Sequence, residues 1–207
     1  MIQLNKIDVI NGKFIADPAY WSLAFTGHTN IEKCYDELQT PFGCSYNCVM
    51  INGIGEDSAN KAYRQIKKAI EKFIESNPSG IRKVRIIVGM ARGVDEIAGL
   101  VAMDMELDIV CCVPHSISWH QNRQPTNKGR VQALFYEKFL NYPKAFWFEI
   151  KKTYSSGWPF ANFARNAFMV DLADKVLSFK CYDSAGTDHC IKYAKSQNKY
   201  AGNISKD

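Results

Sequence analysis

Five short runs of apolar residues set the architecture of this 207-residue chain: WSLAFTG (21–27), KVRIIVG (83–89), DIVCCVP (108–114), AFWFEI (145–150) and KVLSFK (175–180). A strand that alternates apolar and polar residues keeps one wet face. A strand that is apolar throughout is covered on both faces, the situation of a parallel sheet between two helical layers. The segments between the runs supply those layers. Residues 94–105 set Val94, Ile97, Ala98, Val101, Ala102 and Met105 on one helical stripe. Residues 58–76 do the same with Tyr63, Ile66, Ile70, Phe73 and Ile74, and Asn77-Pro78 stops them. Further helices are expected near 128–140 (Val131, Leu134, Phe135, Phe139), 160–173 and 187–197, with KYAGNI as a last edge strand. Right-handed crossovers turn this order into a doubly wound, Rossmann-like α/β domain with a mainly parallel sheet over residues 21–207. Residues 1–20 read as a small N-terminal β-hairpin appendage, because Asn11-Gly12 between two apolar runs suits a tight primed turn. Residues 31–56, with Pro41, Gly43, Gly53 and Gly55, read as a long loop or insertion.

Ligands of open parallel sheets bind outside the carboxyl ends of the strands. The residues that follow each strand are therefore the ligand-binding candidates. After the first strand these are Thr26, Gly27 and His28, and after the second Gly89, Met90, Ala91, Arg92, Gly93 and Asp95. After the third come Pro114, His115 and Trp119, and after the fifth Ser184, Ala185, Gly186 and Thr187. Glycine lets the backbone turn sharply and bring bare N–H groups near an anion, and a helix start adds unsatisfied donors and a partial positive charge. Two such turns on one sheet suit a phosphate, although Gly89-x-x-x-Gly93 matches neither the dinucleotide fingerprint nor the P-loop. All four histidines, His28, His115, His120 and His189, fall on this side of the sheet. They are either exposed loop residues or part of a site rich in neutral donors and acceptors, with Trp119, Tyr154 or Trp158 available to stack on a base.

Composition narrows the partners. A net charge of +5 accommodates an anionic small ligand, and nucleic acid is set aside as a partner because the charge is modest. No apolar run approaches the ~20 residues of a membrane helix, and MIQLNKIDVI carries no signal-peptide pattern, so a cytoplasmic protein is expected. Seven cysteines, an odd number with Cys111 and Cys112 inside a strand, read as reduced thiols. Cys34, Cys44 and Cys48 are a conceivable zinc set, but no C-x-x-C pair is present and no metal is expected.

The residues also carry a family resemblance. The segment from Arg165 and Asn166 through Met169, Val170, Asp171 and Asp174, followed by Ser184-Ala-Gly186-Thr187 and Ile191-Lys-Tyr-Ala-Lys, resembles the C-terminal half of the SLOG superfamily, nearest its YpsA-like branch. Phe25-Thr26-Gly27-His28 resembles that family's T-G-[HY] turn, and Gly89 to Asp95, with Ala98 behind, resembles its G-x-A-x-G-V-D turn. The likeness spans about residues 21–204 and keeps the motif order. The superfamily includes the LOG phosphoribohydrolases and the Rossmann-like domain of DprA. The resemblance implies a sheet that binds nucleotides or nucleotide-like signals, and it adds Arg165 and Asn166 to the ligand-binding candidates. LOG enzymes cleave an N-glycosidic bond with an arginine and with a glutamate in P-G-G-x-G-T-x-x-E. Here Arg165 stands where that arginine would be, the glycine-rich motif is reduced to Ser-Ala-Gly-Thr, and Asp188 and His189 stand where a glutamate would follow. A carboxylate is wanted there to stabilise an oxocarbenium-like centre or to activate water.

The reading adopted is a binder of a nucleotide or nucleotide-derived small molecule, acting as sensor, carrier or sequestering protein and needing no cofactor. The alternative is a LOG-like N-glycosidase acting on a nucleoside monophosphate, with Arg165 and Asp188 as catalytic candidates. A weaker alternative is DprA-like binding of single-stranded DNA, against which the basic residues are dispersed. The expected partners are the small ligand and further copies of the same chain.

Overall fold

Each apolar run becomes a strand of one six-stranded sheet. The computed structural model describes residues 17–28, 31, 57–77, 80–123, 136–150 and 158–205, with the strand pairs 9–10 and 13–14. Strands β1 (Val9–Ile10) and β2 (Lys13–Phe14) pair antiparallel, Val9 opposite Phe14, in the hairpin that the sequence implies. The Asn11-Gly12 connection itself lies outside the described residues, as do residues 32–56, which include Cys34, Cys44 and Cys48. The main strands are β3 (Tyr20–Gly27), β4 (Lys83–Val88), β5 (Asp108–Pro114), β6 (Ala145–Ile150), β7 (Lys175–Phe179) and β8 (Tyr200–Asn203). Their order is β6-β5-β4-β3-β7-β8, and every adjacent pair is parallel. The fold is the expected Rossmann-like α/β sheet.

The helices are α1 (Asp57–Glu75), α2 (Val94–Asp104), α3 (Ile117–Arg123), α4 (Trp158–Leu172) and α5 (Ala185–Ser196). Residues 136–141 are also helical, the described end of the helix expected over 128–140. The unbroken apolar runs follow from this layering. In β4, Ile86 and Val88 join a core with Ile66 and Ile70 of α1 and Val101 of α2, while Ile87 joins the opposite core with Phe168 and Val170 of α4 and Ala194 of α5. From Ile86 to Val88 both faces of the strand are dry, which is why these side chains are apolar.

Helix α3 was not anticipated, because ISWHQNR has no apolar stripe. Its start is marked by Ser116, whose Oγ accepts the Trp119 N–H at 3.1 Å, an ordinary serine cap. At the amino end of β3, Asp174 accepts the Ser22 N–H at 2.8 Å and pairs with Arg82 at 3.1 Å, which ties the turn before β7 to the floor of the sheet. Cys111, Cys112 and Cys190 are free and buried, as expected of reduced thiols. Cys181 corrects that expectation: it is disulfide-bonded, and it sits exposed just after β7. Among the described residues no helix is long and apolar enough to cross a membrane.

Candidate ligand-binding site

The chain leaves β3 in both directions along the sheet, through β4, β5 and β6 on one side and through β7 and β8 on the other. At such a switch point the loops beyond the carboxyl ends diverge and leave a crevice. A cleft of about 350 Å³ lies there. The end of β3 supplies Phe25, Thr26, Gly27 and His28, and the turn into α2 supplies Ala91 and Asp95. Helix α4 presents Asn162, Arg165, Asn166 and Met169, and the approach to α5 presents Tyr182, Asp183, Ser184, Gly186 and Thr187. His120 of α3 closes one side.

Two helix starts meet near the cleft, and they differ. The turn into α2 is closed by its own acids. Asp95 accepts the backbone N–H of Ala91 at 3.2 Å and also that of Gly89, while Glu96 accepts that of Gly93. The Val94 N–H goes to the carbonyl of His28 at 3.1 Å. The expectation that the Gly89–Gly93 turn offers bare N–H groups to an anion is therefore corrected: this chain's carboxylates occupy them. Gly93 serves the chain path, with φ at 83°, and Met90 takes a left-handed turn with φ at 56° and is fully buried in the core.

The start of α5 is open by comparison. Ser184 is its cap residue but makes no side-chain cap bond, and Gly186 has no atom within 4 Å of the point where a Cβ would stand. Asp188 turns back as Asp95 does, accepting the Ser184 N–H at 3.1 Å, and it also pairs with Lys180 at 2.5 Å. Asp183, exposed at the cleft edge, pairs with the same lysine at 3.1 Å. Lys180, foremost, holds the Asp188 carboxyl below the usual carboxylate range. Thr187 ties this helix to β3 through a bond from Oγ1 to the Gly27 carbonyl at 3.1 Å, and Asn166 donates to the Gly186 carbonyl at 3.0 Å. Gly27 itself is needed for close packing, since a Cβ there would stand 2.7 Å from Cβ of Val94 and 2.8 Å from the Phe179 carbonyl oxygen.

Arg165 reaches inward beneath the cleft. Its Nη1 donates to the Gly89 carbonyl and lies 3.5 Å from Asp95, both side chains being buried, while its Nε is buried without a partner. Burial is the largest influence on Asp95 and raises its carboxyl pKa against the opposing pull of Arg165. His120 shares a hydrogen bond with Tyr136, and burial, then Arg165, lowers its pKa to about 3. His28 is different in kind. Its Nε2 accepts the N–H groups of Cys181 at 2.9 Å and Tyr182 at 3.2 Å, and its ring stacks on Tyr182 with centroids 3.5 Å apart. An imidazole nitrogen that accepts is unprotonated, so the proton sits on Nδ1, which is buried and unpartnered. Burial and then Lys180 lower the His28 pKa and favour this neutral form.

Of the sequence candidates, the cleft gathers Thr26, Gly27, His28, Ala91, Asp95, Arg165, Asn166, Ser184, Gly186 and Thr187. It does not gather Gly89, Met90, Arg92, Gly93, Pro114, His115, Trp119, Ala185 or Asp188. His115 and Trp119 pack on each other, ring centroids 4.2 Å apart, and His189 stacks on Phe163. Tyr154 lies outside the described residues, as does the side chain of Trp158. The sequence reading missed Asn162, Met169, Tyr182 and Asp183 as lining residues. The first two were signalled: 162, 165, 166 and 169 are spaced i, i+3, i+4, i+7 and share one helical face.

No family model and no curated protein matches this chain. Among solved structures, DNA processing protein A from Helicobacter pylori, described for its single-stranded DNA binding mode, is similar with a TM-score of 0.50 and 16% identity, over 91% of this chain and 69% of that one. DNA processing protein A (DprA) from Streptococcus pneumoniae gives 0.46 and 13% identity, over 88% of this chain. This chain spans 50% of the length of that protein. The likeness is one of fold, and it agrees with the DprA-related part of the resemblance read from the motifs. It also corrects the exclusion of nucleic acid, since a protein of this fold binds single-stranded DNA. That exclusion rested on net charge, which sums the whole surface and does not report the potential over one groove.

Proposed function

We propose that the cleft binds a nucleotide or nucleotide-derived small molecule, with one phosphate or similar anionic group at the first turn of α5. The observation that carries this reading is the contrast between the two helix starts: α2 is closed by Asp95 and Glu96, and α5 opens on the cleft at Gly186. Its unsatisfied N–H groups and partial positive charge are what an anion requires. The location at the switch point and the YpsA-like turns at Thr26–His28 and Ser184–Thr187 support it. Among the described lining residues Arg165 is the cation and is met by Asp95, while His28 and His120 are held neutral. The cleft thus offers one helix terminus rather than a basic cage, which suits a single phosphate better than a polyphosphate. The buried donors His28 Nδ1 and Arg165 Nε each lack an acceptor, a state that costs about 1–3 kcal/mol and that a bound oxygen would relieve.

A panel of nucleoside monophosphates, NAD-derived molecules and an oligothymidylate tests this by thermal shift and mass spectrometry. A ligand at a hundred times its dissociation constant contributes about 2.7 kcal/mol. One small member is expected to raise the midpoint and to be recovered intact, and Gly186→Val is expected to abolish its effect. A panel without effect, a Gly186→Val variant that binds normally, or a shift from the oligothymidylate alone would overturn the reading. Asp95 favours a second reading, N-glycoside hydrolysis. It is a cleft carboxyl beside Arg165 with a raised pKa, whereas Asp188 is ion-paired and outside the lining. Release of free base, lost in Asp95→Asn and retained in Asp188→Asn, would establish the enzyme.

A further inference from the structure

A second concavity, of about 380 Å³, lies between α1 and the outer strands β7 and β8. Helix α5 packs on β7 and β8 from the other side. On the α1 side these two strands carry no helix among the described residues, so their apolar side chains form an open floor. Leu177, half-buried, forms it with the exposed edges of Phe73 and Ile204. Phe73 is held in place from behind by Trp21, the rings parallel within 3° and 5.2 Å apart. The rim is one-signed. Among the described residues Lys68, Lys72 and Lys175 line the groove and no carboxylate does. All three are exposed, and none makes an ion pair or hydrogen bond among the described residues.

The lysines are also unevenly placed. Helix α1 joins two parallel neighbours, β3 and β4, so it runs back against the strand direction. Its last turn, which carries Lys72, therefore lies at the end of the groove where β7 begins with Lys175. Two ammonium groups share one end, and the apolar floor extends away from them toward Ile204. Lysine stems add to the apolar wall while their heads stay wet. A volume in the range of small-molecule pockets, an apolar floor and cations at one end together describe a head and a tail.

We propose that this groove is a second binding site, for an anionic amphiphile whose aliphatic chain lies over Phe73 and Leu177 and whose carboxylate or phosphate head meets Lys72 and Lys175. The site is independent of the nucleotide cleft and needs nothing from it.

Isothermal titration of the full chain with decanoate, decyl phosphate and 1-decanol, each below the concentration at which it aggregates, tests the proposal. One or both anions are expected to bind saturably at one per chain, and which binds identifies the head group. Decanol is expected to bind about tenfold more weakly, the scale of two partly screened charge contacts. The double variant Lys72→Glu/Lys175→Glu is expected to lose the same factor with its melting midpoint unchanged. Ala69→Trp, which fills the groove from α1, is expected to abolish binding of all three, and Gly186→Val to leave it intact. Absence of saturable binding, decanol binding as tightly as the anions, or indifference to the charge reversal would each overturn the proposal. So would sedimentation showing a dimer that Ala69→Trp dissociates, since the groove would then belong to a second copy of the chain.

Discussion

Replacing Gly27 by alanine adds one methyl group where β3, β7 and α2 converge. The new carbon would stand 2.7 Å from Cβ of Val94 and 2.8 Å from the carbonyl oxygen of Phe179. Neither neighbour can retreat cheaply. Val94 is fixed at the start of α2 by its N–H bond to the His28 carbonyl, and Phe179 is the β7 residue in register with Gly27. Overpacking a core costs about 1–3 kcal/mol, and rigid neighbours put this case near 3. The smaller unfolded-state entropy of alanine returns about 0.4–1 kcal/mol, leaving a net loss of roughly 2 kcal/mol. At about 2–4 °C per kcal/mol for a domain of this size, the midpoint should fall by roughly 4–8 °C. Differential scanning calorimetry on the ligand-free protein measures this, with Gly186→Ala as the control. Nothing lies within 4 Å of the carbon added at Gly186, so that variant should hold or gain up to about 1 kcal/mol. A Gly27→Ala midpoint within a degree of the parent, or equal damage at Gly186, would refute the close-approach argument.

Arg165→Met should cost about 3–5 kcal/mol in urea unfolding at pH 8, because it strands the buried Asp95 carboxylate. The loss should shrink at pH 5, where Asp95 with its raised pKa takes up a proton more readily, and Arg165→Met/Asp95→Leu should recover much of it. His120, held at about 3 against an ordinary 6.5, gives stability that is present above 6.5 and lost as pH falls toward 3. Glu96, pushed up to about 7 from 4.5, acts oppositely, with stability present below 4.5 and lost as pH rises through 7. The two should nearly cancel between these limits, and below pH 4.5 His120 should contribute a fall of up to about 1.4 kcal/mol per unit, a contribution that His120→Gln subtracts. Asp174→Ala should cost about 1–3 kcal/mol by leaving the Ser22 N–H without its acceptor. It should leave cleft binding unchanged, because Asp174 lies at the other end of the sheet.

The strands were legible because a buried parallel strand cannot conceal its composition: DIVCCVP became β5 without a residue of error, and AFWFEI became β6, an edge strand in which Trp147 is the buried residue. The switch point was legible in outline, since the turns after the first and fifth runs do meet across it. The division of labour between the two glycine turns was not. Seen as a string, Gly89 to Asp95 and Ser184 to Asp188 both look like anion cradles with an acid behind them. The two acids behave alike, Asp95 accepting the Ala91 N–H and Asp188 the Ser184 N–H; what separates the turns is Glu96, which covers the Gly93 N–H, against Gly186, which stands open to the cleft, and that difference exists only in the folded chain. Helix α3 escaped notice for a simpler reason. Seven residues are too few to show a period, and a capping serine at 116 is common in turns as well.

His28 stands in for a carbonyl at the end of the sheet: one side-chain nitrogen receives two peptide N–H groups that no neighbouring strand is there to receive. A carbonyl oxygen does not titrate in water, and an imidazole does. The segment from Cys181 to Tyr182 leads directly into the open start of α5, so this part of its anchorage, beside the Cys181 disulfide, is conditional on a proton. Once Nε2 is protonated, three donors face one another, and the acceptor that fastened the segment is gone. Burial and Lys180 defer that event to below the ordinary histidine range, which keeps the latch shut near neutral pH and leaves it able to open in acid.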